Sequence, residues 1–184
     1  MKLTTIKSLV AAALCAVGLS SFAAEPEAVQ LWEGGPYFAT CNIGADTPED
    51  YGILTNFNDA AQAVTDVLGE GWRLPSDAEL KILAGKNDGD KVCSNVWTTC
   101  NNVAGRRFFG MTSGYEDKSI FLPAAGYDRG GGREDAGVGG NYWSSTVKNA
   151  DYAWHLPFDE DYAGVYSRVR RYGLSVRAVR GSAE

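Results

Sequence analysis

The sequence predicts an α+β fold with two short helices on a twisted antiparallel sheet. Two stretches in the first half, residues 58–69 and 76–85, have helical spacing with start and stop signals. The C-terminal third alternates apolar and polar residues with a period of two, the signature of half-buried strands. Between them, residues 126–140 hold seven glycines in fifteen positions, too many for one regular element.

The first 24 residues read as a secretory leader. Lys2 and Lys7 form a positive start, Ser8 to Ser20 is an apolar run, and Ser21-Phe22-Ala23-Ala24 offers small residues for cleavage. The run is shorter than the roughly 20 residues a membrane-spanning helix needs. Leu14 before Cys15 is too bulky for a lipoprotein signal. The expectation is therefore an exported chain, periplasmic, on the cell surface or secreted, with residues 25–184 forming one domain and no membrane span after cleavage. Without the leader the chain has 15 basic and 23 acidic residues, a net charge of −8 against −6 for all 184 residues. That balance argues against nucleic acid as a partner, since such proteins carry a basic footprint. It leaves the oligomeric state open.

Within the domain, residues 28–43 alternate loosely around Val29, Leu31, Tyr37, Ala39 and Ile43, with Gly34-Gly35-Pro36 as a turn. Asn58 caps the first helix, Ala60, Val64, Val67 and Leu68 give its apolar stripe, and Gly69 stops it. Ser76 and Glu79 form a capping box for the second, whose stripe is Leu80, Leu83 and Ala84 before Gly85. No helix is expected after that. Tyr152 to Phe158 is a strand, Asp159-Glu160-Asp161 a turn, and Val165 to Arg171 the returning strand. Leu174, Val176 and Ala178 then alternate with Ser175, Arg177 and Val179 in a last strand integral to the fold.

Three cysteines follow the leader: Cys41, Cys93 and Cys100. Export permits disulfides, an odd number leaves one thiol over, and the pairing stays open. A hairpin could bring Cys93 to Cys100. The absence of a CxxC disfavours structural zinc and thioredoxin-like redox chemistry. No metal or other cofactor is expected.

Five stretches in order resemble the Fibrobacter succinogenes major paralogous domain family. They are ATCNIGA (39–45) with PEDYG (48–52), GWRLPSDAE (71–79), SIFLPAAGY (119–127), YWSST (142–146) and RYGLSVRAVR (171–180). The resemblance spans roughly residues 29–181. It implies a C-type-lectin-like or formylglycine-generating-enzyme-like fold, with the N- and C-terminal strands together. In this chain only Ile53 to Phe57 separate PEDYG from the first helix, where members often carry a longer aromatic-rich insertion.

Several chemistries fail on residue content. The paired carboxylate and amide motifs of calcium-dependent lectins are absent, and Asn87 to Asp90 and Asp159 to Asp161 read as solvated turns. None of the cysteines sits in the formylglycine-type catalytic motif. Asp128, Glu134 and Asp135 offer carboxylates for glycoside hydrolysis, but any acidic protein contains such pairs. Gly137-Val138-Gly139-Gly140 is not followed by a helix, so a phosphate loop lacks its context.

Binding is better supported. Tyr152, Trp154, His155, Tyr162, Tyr166, Arg168 and Arg170 lie together in sequence, and Tyr, Trp and Arg are enriched at binding hot spots. The face carrying Trp154, Leu156 and Phe158 competes as core, and the arginines from 168 to 180 compete as framework. The expectation is a non-enzymatic recognition or adhesion domain for a polysaccharide or a surface protein. The alternatives are a retroelement-diversified display protein of the same fold and a formylglycine-generating-type enzyme relative.

Overall fold

The structure, a computed structural model, describes residues 27–181. The expected leader lies outside them. The chain is mostly β-sheet, 39% strand and 12% helix, in four small sheets with two helices. This corrects the α+β, C-type-lectin-like expectation. Both helices are short, and the remaining chain divides among separate two- to four-stranded sheets, so no single twisted sheet underlies the helices.

The first sheet has the order β1-β2-β12-β3, built from β1 (Ala28–Gln30), β2 (Tyr37–Ala39), β3 (Trp72–Arg73) and β12 (Val179–Arg180). Helix α1 (Phe57–Leu68) starts two residues earlier than expected. Asn56, in extended conformation, is the cap, and its Oδ1 accepts from the Asn58 and Asp59 amides at 3.0 and 3.3 Å. Asn58 instead lies in the first turn. Helix α2 (Asp77–Leu83) has the capping box: Ser76 Oγ accepts from the Glu79 amide at 3.1 Å, and Glu79 Oε2 accepts from the Ser76 amide at 2.7 Å. Seven residues are too few for a helix to persist alone in water, where about 12–15 are marginal. The cap and the burial of Leu80 and Leu83 hold it.

A meander follows, β4 (Cys93–Cys100), β5 (Val103–Gly110) and β6 (Ser119–Pro123). The glycine-rich stretch forms the small ribbon of β7 (Tyr127–Asp128) and β8 (Arg133–Glu134). Gly126 precedes it at φ +69°, and a Cβ there would lie 1.9 Å from the Glu134 carbonyl oxygen, so only glycine fits. The last sheet is β11-β10-β9, from β9 (Gly140–Val147), β10 (Tyr152–Phe158) and β11 (Tyr166–Val169).

The β9–β10 pair separates two cores, which explains why its residues are buried on both faces. On one side Tyr142, Leu156 and Phe158 pack with Leu80 and Leu83 of α2 and with Phe108, Ile120 and Leu122 of the meander. On the other side Trp143 and Ala153 pack with Ala60 and Val64 of α1 and with Leu174, Val176 and Ala178. Gly140 lies opposite Phe158, and a Cβ there would reach 2.1 Å from the ring; its absence lets Phe158 stack on Tyr142 at 5.7 Å. Residues 174–179 are correspondingly not a half-buried strand. Ser175 and Arg177 are as buried as the apolar residues between them, and only Val179 and Arg180 enter a ladder.

Cys41, Cys93 and Cys100 are all free thiols, which corrects the disulfide expectation. Cys93 and Cys100 occupy the two ends of β4, roughly 23 Å apart at about 3.3 Å per residue, far beyond the ~7 Å Cα separation a disulfide spans. Burial pushes the Cys93 thiol up to about 12, whereas Cys41 and Cys100 are half-buried. Thiol titration of a native chain that starts at Glu25 is therefore expected to modify Cys41 and Cys100 first. Cys93 should react only on unfolding. Equal rates for all three would contradict this placement.

Candidate functional site

The seven residues proposed from sequence do not form one surface. Strands β10 and β11 pair Tyr152 with Val169, Trp154 with Ser167, and His155 with Tyr166. Tyr152 and Trp154 lie on the α2 side, where the Lys81 and Lys148 ammonium groups approach the Trp154 ring centre at 5.6 and 5.3 Å. His155 faces the opposite core. It is 2% exposed, edge-on to Trp143, with Nδ1 2.8 Å from the Tyr166 carbonyl. That carbonyl can only accept, so Nδ1 carries the hydrogen and Nε2 its lone pair. Burial holds its pKa down at about 4, so it is neutral near pH 7. His155 is a framework residue and cannot touch a ligand at the surface.

Tyr162 and Tyr166 form a second group at the turn beyond β10. Their rings are 5.9 Å apart, and the Tyr162 hydroxyl donates to that of Tyr166 at 3.1 Å. Both are exposed.

Arg168 and Arg170 form the third group, at the other end of the hairpin. Arg170 lies over Phe57 at 4.8 Å and donates to Asn58 Oδ1 at 2.6 Å and to the Ala150 carbonyl at 3.2 Å. It thereby ties the first turn of α1 to the β9–β10 connection. Beside it opens a cleft of about 490 Å³ lined by Asn56, Asn58, Asp151, Arg170 and Arg171. A cation–π ladder flanks the cleft. Arg168 lies 4.4 Å from the Tyr127 ring and 5.4 Å from the Tyr172 ring, with Arg129 beyond Tyr127 and Arg171 beyond Tyr172. Arg129 also pairs with Glu134.

Sequence reasoning missed Asn56, Asp151, Arg171 and the two ladder tyrosines, and it used Asn58 only as a cap. Asn58 and Arg170 are 112 residues apart, and no local pattern joins them. Tyr172 lay in a stretch read as framework, immediately beside Arg170 and Arg171; adjacency of aromatic and arginine residues was the available signal.

Two of the carboxylates considered for glycoside hydrolysis and calcium are engaged in their own turns. Asp128 Oδ1 accepts from the Gly130, Gly131 and Gly132 amides at 2.6, 3.1 and 3.0 Å, and these bonds hold its carboxyl below the usual range. Asp159 Oδ1 closes its own turn by accepting from the Asp161 and Tyr162 amides at 3.0 and 2.9 Å. Among the described residues no group of three or more His, Cys, Asp or Glu is placed to hold a metal ion. No described helix is long and apolar enough to cross a membrane.

The cleft therefore presents one Arg held in place, Arg170, and one exposed Arg, Arg171, beside Asn and Asp side chains that accept and donate. Such a lining matches ligand hydroxyl groups in number and direction. Residues 92–179 are similar to a domain of unknown function (DUF8237). The match covers just under half the chain and runs from the approach to β4 into β12, so it includes every strand of the β11-β10-β9 sheet. It carries no link to the Fibrobacter succinogenes family. No curated protein and no solved structure matches the chain.

Proposed function

We propose that this protein is an exported recognition domain that binds a polysaccharide through the cleft between α1 and the β10–β11 hairpin. The observation that carries the reading is the polar lining of that cleft: Asn56, Asn58, Asp151, Arg170 and Arg171 around about 490 Å³. The space lies within the range of small-molecule sites, roughly 300–1,000 Å³. Polar side chains converge on it from segments far apart in sequence, and the Arg170–Asn58 hydrogen bond ties two of them together without ligand. The tyrosine–arginine ladder beside it offers aromatic edges along which a sugar chain can continue. The leader-like residues 1–24 support export.

The test is a polysaccharide binding screen on the mature chain, with calcium and with EDTA. Binding that survives EDTA is expected, because the cleft offers one carboxylate and calcium takes six to eight oxygen ligands. Arg170→Ala and Arg171→Ala, made separately, should each weaken binding by about tenfold, the worth of a hydrogen bond from a charged donor. Arg171 is exposed, so its loss should leave the melting temperature unchanged. Undiminished affinity in folded Arg171→Ala and Arg170→Ala proteins would sink the assignment, as would a folded protein that binds no polysaccharide.

A further inference from the structure

A second concave site lies at the far end of the β10–β11 hairpin, where the turn of residues 159–163 meets the C-terminus of α2 and the start of β4. It has a volume of about 200 Å³ and is lined by Lys86, Lys91, Ser94, Arg106, Asp161 and Tyr162. Three cations and one carboxylate therefore converge here, in a chain whose net charge is −6. Among the described residues none of the three cations makes an ion pair within 4 Å.

Arg106 is the fixed element. It is 6% exposed, and its neighbours accept without neutralising it. Nε and Nη2 donate to the Asp159 carbonyl at 3.2 and 2.7 Å, Nη2 to the Glu160 carbonyl at 2.8 Å, and Nη1 to Asn95 Oδ1 at 2.5 Å. Burial lowers its pKa, and the negative charges of Asp159 and Asp161 oppose that shift. The guanidinium is thus a positive charge locked at the base of the cleft. Lys86 is placed at the mouth, its ammonium 5.3 Å from the centre of the Tyr162 ring. Lys91 closes the side next to Gly85. Converging positive charge in a small concave space favours a compact oxyanion, and the field is stronger there than on an open surface.

We propose that this pocket binds the oxyanion group of an acidic sugar, a carboxylate or a sulfate, with Lys86 and Lys91 as direct contacts and Arg106 as the fixed charge behind them. The volume is below the 300 Å³ lower end of drug-sized sites, so it takes one charged residue and not a chain. The Tyr162 ring offers that residue a stacking edge. The pocket is separate from the α1 cleft and does not depend on what that cleft binds.

The experiment is a two-dimensional amide NMR titration of the mature chain with galacturonate, inorganic sulfate and galactose. Galacturonate and sulfate should shift the resonances of Lys86, Ser94 and Tyr162, with weakening at higher ionic strength. Galactose should shift none of them. Sulfate alone shifting them would assign the pocket to free inorganic anions and overturn the sugar assignment. The double variant Lys86→Gln/Lys91→Gln should lose at least about tenfold in galacturonate affinity, and Lys86→Arg/Lys91→Arg should retain binding. Equal response to galactose, or a Gln variant that binds as the wild type does, overturns the proposal. So does a folded Arg variant that binds no better than the Gln variant. Arg170→Ala should leave this titration unchanged, which separates failure here from failure at the other cleft.

Discussion

Replacing Arg177 by alanine is expected to destabilise the protein by about 3–5 kcal/mol, because it strips the donors from several buried acceptors at once. The guanidinium is 2% exposed, and among the described residues no carboxylate pairs with it. Burial pushes its pKa down to about 10, so it remains charged at neutral pH. It is held by acceptors alone: the Ala39, Thr40 and Phe121 carbonyls at 3.0, 2.5 and 3.1 Å, and Asn42 Oδ1 at 3.0 and 2.8 Å. Asn42 passes the connection on, donating to the Tyr142 hydroxyl and the Tyr51 carbonyl, both at 3.1 Å, and Tyr142 donates to the Pro123 carbonyl at 2.7 Å. One side chain thus joins the exit of β2, the end of β6, strand β9 and the terminal segment. Alanine leaves several buried acceptors without donors, each costing about 1–3 kcal/mol. Arg177→Lys should recover only part of the loss, because one ammonium cannot reach acceptors spread around a planar fork. Urea unfolding at pH 7 measures both variants. A loss below about 1 kcal/mol for alanine would show that the network is not what joins these segments.

The second large effect concerns Glu79 and acid. Glu79 is 3% exposed and accepts from Arg73 Nη1 and Nη2 at 2.8 and 2.7 Å and from the Ser76 amide at 2.7 Å. Burial alone would raise its pKa, but the Arg73 fork and the Ser76 amide overcome that, and the net shift is downward from 4.5. A folded-state pKa below the unfolded value stabilises the fold above the unfolded value. That contribution is lost as pH falls through the folded value. The Arg73 side chain is 40% exposed, so solvent screens the pair and about 2 kcal/mol is expected from it. Glu79→Gln should lower the urea midpoint at pH 7 and flatten its decline below pH 4.5, since the variant has no carboxyl here to protonate. Unfolding curves whose pH dependence runs parallel in the two proteins would refute the role given to Glu79.

The local signals in the sequence carried the local structure. The Ser76–Glu79 box, the Gly69 stop and the strand from Tyr152 to Phe158 each depend on residues a few positions apart, and each stands where the sequence placed it. The shift of the α1 cap from Asn58 to Asn56 is the same chemistry two residues earlier. Pairing was not legible. The order of five motifs along the chain does not say which strands share a ladder, and the lectin-like sheet they implied is replaced by four small ones. Period-two alternation could not tell core from surface in β10, because both faces of that strand are covered for most of its length. That is why His155 read as a ligand contact and lies buried. Of the residues proposed for binding, only Arg170 lines the α1 cleft, and Asn58, to which it donates there, lies 112 residues earlier.

The burial of residues 174–179 has a consequence for how the chain acquires its fold. The Leu174 and Thr55 backbones exchange hydrogen bonds at 2.9 Å in both directions, Val176 accepts from Ile43 at 3.0 Å, and Val179 lies opposite Phe38. These contacts close loops of more than one hundred residues, whose entropy must be overcome before the contacts form. Topologies dominated by such pairings fold slowly. The second core stays open, with Trp143 and the α1 face unsealed, until almost the last of the described chain arrives. The second core therefore cannot close before residues 174–179 are available, and it forms after the local hairpins of the meander and of β9–β10.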